Sequence, residues 1–161
     1  MKVSNSNGIP TGADVMAGRG VQCKTLTNAF AAFLDDILVC FIEADLKKWR
    51  ARLQLPFSLI TKEGPTVLAD DTAVEENFRF YLIACEAMSL DLVDRQIVSL
   101  EACPDGTWLG TFKTRLVSGF NLATEPYVST ALLHLQPDGS FRMSSMLNGR
   151  GHREWTGVSG R

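Results

Sequence analysis

Glu43 and Asp45, one residue apart, are residue types that can do acid-base work, since two neighbouring carboxylates can hold different protonation states and pass a proton to a substrate. They stand where an acidic helix face gives way to the basic run Lys47-Lys48-Trp49-Arg50, just before a Leu55-Pro56-Phe57 step. The same pattern also describes a helix end that hands the chain to a sheet. His134 is the one histidine inside a strand-like run and could serve as a general base. Arg142 could hold a carboxylate if it points inward, or form a surface ion pair if it does not. Cys23, Cys40, Cys85 and Cys103 are widely spaced, and only His134 and His152 could join them, so neither a zinc site nor a disulfide framework is expected. The cysteines therefore point to a reduced, cytoplasmic protein, with no metal and no cofactor implied.

These groups must be positioned by a chain of 161 residues, enough for one domain with its own core. The 16 basic and 18 acidic residues are interspersed and leave a formal charge of -2, which gives no footprint for nucleic acid or an anionic membrane surface. The first residues lack the apolar region of a signal peptide, and no stretch suggests a membrane span. Residues 1–22, rich in Gly, Ser, Asn and Pro, read as a flexible N-terminal arm, 23–150 as the single domain and 151–161 as a C-terminal tail.

From Thr25, a candidate N-cap, apolar residues recur at helical spacing from Phe30 through Phe41 to Trp49 and Leu53, which predicts one long helix. Pro56 then favours extended chain, and two short extended pieces turn at Lys62-Glu63-Gly64-Pro65. A second helix follows Asp70-Asp71 and presents Val74, Phe78, Tyr81, Leu82, Cys85 and Met88. Beyond Asp91 the period becomes two, and three turns divide four runs into an antiparallel meander. Helices first and a strongly bent sheet after them make an α+β fold, with the sheet wrapped around the long helix.

This order, with Glu43-Ala44-Asp45-Leu46, the Leu-Pro-Phe step, EENFRFYL in the second helix and EPYVSTALLHLQPDGSFRM in the last hairpin, resembles the nuclear transport factor 2-like superfamily, which includes SnoaL-like polyketide cyclases and ketosteroid isomerases. The resemblance covers about residues 28–150. It implies a cone-shaped half-barrel whose second helix closes an apolar pocket and whose outer sheet face forms a homodimer. In the ketosteroid isomerase branch a helix tyrosine, a strand aspartate and a protonated aspartate do the chemistry. Their places fall here on Ile37, roughly Thr61, and Ala131, so no acid-base pair is carried over. Glu43 and Asp45 then read as solvated or helix-end charges, pairing with Lys47, Lys48 or Arg50.

Alternation about the Asp138-Gly139 turn puts Tyr127, Ser129, Ala131, Leu133 and Leu135 on one face of their strand, with Val128, Thr130, Leu132 and His134 on the other. Trp108, Gly110, Phe112, Thr114 and Leu116 are taken inward. For the last strand the resemblance implies that Arg142, Ser144, Met146 and Asn148 face the cavity and that Phe141, Met143 and Leu147 face a dimer partner. The expected pocket is lined by Ile37, Phe41, Tyr81, Phe112, Thr114, Tyr127, Ser129, Met146 and Asn148, a lining suited to a small apolar or aromatic ligand bearing one or two oxygens. Two alternatives stand beside this binding protein. One is a lyase, isomerase or hydrolase using Tyr81 and Tyr127 with His134 or an acid from Asp35-Asp36. The other is a dimeric interaction module with a filled pocket.

Overall fold

The computed structural model describes residues 12–149. Its first helix, α1 (Gly12–Ile42), starts well before Thr25. The residues expected as an arm from 12 onward are therefore helical, while 1–11 and the expected tail lie outside the described residues. Extending a helix already nucleated and packed costs little per residue, which offsets the glycines at 18 and 20. By length and composition alone Gln22–Ile42 could cross a membrane, with a mean hydropathy of 1.6, which corrects the expectation that no segment could. A core helix needs the same character, and here Phe30, Phe33, Leu34, Ile37 and Cys40 are buried.

The long helix expected through Leu53 is two helices. Ala44 takes a positive φ of 54°, which ends α1, and α2 (Leu46–Ala51) starts afresh. The Asp45 carboxylate caps it by accepting from the Lys48 N–H at 2.9 Å, while Glu43 pairs with Lys48 Nζ at 3.3 Å. Both acids are thus committed to the helix junction, where an N-cap contributes about 1 kcal/mol.

The strands β1 (Leu53–Thr61) and β2 (Gly64–Leu68) form the expected hairpin, and α3 (Asp71–Ala87) follows with Asp70 as its N-cap, accepting from Ala73 N–H at 2.9 Å. The meander comprises β3 (Leu92–Ala102), β4 (Trp108–Ser118), β6 (Tyr127–Leu135) and β7 (Phe141–Asn148), with the two-residue β5 (Asn121–Leu122) beside β4. Across the sheet the order is β2-β1-β7-β6-β4-β3. The β1–β7 pairing is parallel, so the sheet is mixed rather than purely antiparallel. Hydrophobic alternation fixes which face of a strand is buried but not which neighbour it pairs with.

Inward residues on β4 and β6 alternate as expected: Gly110, Phe112, Thr114 and Leu116 are buried, as are Ser129, Ala131 and Leu133. The last strand does not keep one alternation. Leu133 pairs with Met143 and Leu132 with Ser145, which leaves Ser144 as a bulge. One extra residue reverses the facing of everything beyond it. Phe141 and Met143 are therefore fully buried in the core, not on a dimer face, while Met146 and Asn148 face inward beyond the bulge. The expected inward Arg142 is exposed, and Ser144 joins His134 through a 2.7 Å hydrogen bond to Nε2.

The core is tightest where α1 crosses β4. Phe30 is packed on Phe33 and edge-on to Phe112, and lies directly over Gly110, where a side chain would collide with its ring. Farther along α1, from Ile37 to Ile42, helix and sheet diverge around a cavity.

Candidate functional site

The cavity has a volume of about 480 Å³, within the usual range for small-molecule sites. Its roof is α1 and α3, contributing Ile37, Phe41, Asn77, Tyr81 and Cys85, and its floor is the concave face of β1, β3, β4, β6 and β7. All nine residues expected to line a pocket do line this one: Ile37, Phe41, Tyr81, Phe112, Thr114, Tyr127, Ser129, Met146 and Asn148. Strand register explains why. Arg95 pairs with Thr114 and Thr114 with Tyr127, which sets these three side chains in one row across the floor. The next row runs from Ile97 through Phe112 and Ser129 to Asn148. There the Ser129 hydroxyl donates to Asn148 Oδ1 at 3.5 Å.

Aromatic packing holds the roof. The Phe41 ring lies 5.1 Å from Phe78 and 5.8 Å from Tyr81, with Trp49 tilted beneath it. Burial pushes the Tyr81 phenol well above its ordinary pKa, and the nearby Tyr127 adds to that, so Tyr81 stays a neutral hydroxyl. Cys85 is raised by burial too, against the pull of Arg95.

Arg95 is the residue the sequence reading missed. Its Nε and Nη1 are sealed from solvent and have no protein hydrogen-bond partner. Burial lowers its pKa from the ordinary arginine value, opposed by Tyr127, Cys85 and Asp35. The signal was present in period two: Arg95 stands between Val93 and Ile97, both partly buried and inward. It was masked because Val98, exposed on the other face, is equally apolar. Three more buried polar atoms without a protein partner belong to residues lining the same cavity: Trp49 Nε1, Asn77 Oδ1 and Thr114 Oγ1. Left dry and unpaired, each would cost about 1–3 kcal/mol.

The acids and imidazole proposed for proton transfer stand elsewhere. His134 is on the outer sheet face, Asp36 pairs with Arg52 at 3.2 Å on the far side of α1, and Asp35 is exposed. Thr61 closes the β1–β2 hairpin, its hydroxyl accepting from Glu63 N–H at 3.2 Å. Ala131 is buried in the floor, and Ile37 adds only apolar surface. Glu86 and Asp91 line the cavity at its exposed mouth, where the Asp91 carboxylate accepts from Gly119 N–H. Among the described residues no three His, Cys, Asp or Glu side chains converge as metal ligands.

No family model matches the sequence, and no curated protein matches it. Solved structures do match. An NTF2-like protein of unknown function from Shewanella oneidensis MR-1 aligns with a TM-score of 0.58 at 12% identity, over 77% of this chain and 98% of its own. ActVI-ORFA from Streptomyces coelicolor gives 0.58 at 12% identity, over 79% and 98%. A domain of unknown function with a cystatin-like fold from Nostoc punctiforme PCC 73102 gives 0.56 at 16% identity, over 88% and 80%. The chain has the nuclear transport factor 2-like fold, a curved sheet wrapped on an N-terminal helix. Shared folds at this identity do not carry an activity with them.

Proposed function

We infer that this nuclear transport factor 2-like cone binds a small ligand in its cavity, one with an apolar or aromatic body and one or two oxygens. The reading is carried by the cavity itself: walls of Ile37, Phe41, Phe57, Leu59 and Phe112 offer an apolar surface, and polar atoms without protein partners sit at a few fixed places in them. A filled-pocket interaction module is hard to reconcile with a hollow of this size. Of the catalytic alternative's set, Tyr81 and Tyr127 line the cavity, whereas His134 and Asp36 stand outside it.

Prodan, a neutral naphthyl ketone whose emission shifts when it leaves water, is a suitable probe. It is expected to bind the purified protein, and Ser129→Phe, which projects a ring into the cavity, is expected to weaken it by about tenfold or more. Equal binding to both proteins would place the dye elsewhere and sink the reading.

We also propose that the outer sheet face forms a homodimer. Leu109, Val128 and Leu147 are exposed there, and Thr111 and Thr130, which share a 3.0 Å hydrogen bond, lie between them. Sedimentation velocity is expected to show a dimer that Leu147→Asp dissociates. A wild-type monomer at micromolar concentrations would end the proposal.

A further inference from the structure

We propose that Arg95 is the anchor for a carboxylate, so that the cavity takes an aromatic or aliphatic carboxylic acid with its anionic end on β3 and its apolar body beneath α1. This rests on the binding reading above and names the ligand class.

Three observations carry it. First, a guanidinium offers five donors, and two of Arg95's nitrogens are buried without a partner. Desolvating a cation without compensation is unfavourable, so folded proteins rarely keep one unless an anion meets it. Second, no carboxylate among the described residues is recorded as an ion-pair partner for it. Asp35, the carboxylate that acts on it, is exposed on α1, while Glu86 and Asp91 stand at the mouth. Four other arginines, Arg50, Arg52, Arg79 and Arg115, each have a carboxylate within ion-pair distance. Third, Thr114, the cross-strand neighbour of Arg95, turns its own unpaired hydroxyl to the same row. A planar carboxylate matches the guanidinium fork with its two oxygens and keeps a lone pair free to accept from that hydroxyl.

Calorimetry with 2-naphthoate and its neutral isostere 2-naphthamide separates charge from shape. Wild-type protein is expected to favour the naphthoate by about tenfold or more. Arg95→Met is expected to abolish that preference while still binding the amide, and Arg95→Lys, which keeps the charge but not the fork, to retain part of it. Met removes an unpaired buried charge, so R95M is expected to melt higher than wild type, and naphthoate to raise the melting temperature of wild type by more than it raises that of R95M. Equal affinity for both probes in wild type, or a preference that survives in R95M, overturns the carboxylate assignment and leaves the cavity reading standing. Binding of neither probe counts against the cavity reading itself, and the assignment falls with it. Should R95M not fold, the R95K result decides: an undiminished preference overturns the proposal.

Discussion

Phe30→Ala is expected to lower the free energy of unfolding by about 3–5 kcal/mol, read from urea denaturation, because it empties the tightest part of the core. Phe30 is fully buried and touches two further rings, Phe33 at 6.4 Å and Phe112 at 6.2 Å between centroids. Its partner is a glycine for a steric reason. A Cβ at Gly110 would lie 2.5 Å from Phe30 Cζ and 2.7 Å from Leu133 Cδ1. Gly110→Ala alone is therefore expected to cost about 1–3 kcal/mol by overpacking. With Phe30 also cut to alanine, the added methyl loses its clash with the ring and keeps only the contact with Leu133 Cδ1, so the double variant should lose less than the sum of the two single losses. Additive losses would show that the two positions do not press on one another.

Ala131→Asp is expected to cost about 3–5 kcal/mol at neutral pH, because Ala131 is fully buried and a carboxylate there would have no partner. Burial would raise the new aspartate's pKa in the folded state above its unfolded value of about 3.9. A group raised in this direction is least harmful while protonated. The penalty should therefore be small below about pH 4 and grow as the pH rises through the folded-state pKa. Stability measured from pH 4 to pH 8 against wild type checks the sign. A penalty that does not change with pH would mean that the side chain reaches solvent or a cation.

Much of the site was readable in the sequence because β4 and β6 alternate cleanly: polar Lys113 and Arg115 against buried Phe112, Thr114 and Leu116 leave one choice of face. Helical spacing likewise placed Ile37, Phe41 and Tyr81 over that face. Other features have no local signature. The bulge at Ser144 depends on how β7 meets β6, and it put Phe141 and Met143 in the core against the expectation. Ala44 ends α1 through its own positive φ, although alanine is the best helix former, because Asp45 begins a new helix directly after it. Arg95 was hidden by a strand whose two faces are both partly apolar, where a charge reads by default as solvent-facing.

The parallel seam between β1 and β7 bears on the order in which the molecule comes together. Every other pairing in the sheet is between hairpin neighbours or strands close along the chain, whereas this one joins the beginning of the sheet to its end. Such a contact gives up the most chain freedom before it returns any stabilisation, so it belongs to the late part of the folding reaction. Phe57 and Leu59 stand on β1 and complete the wall of the hollow. The meander and α3 can thus assemble as an open trough, and the trough becomes a container only when the two ends of the sheet meet.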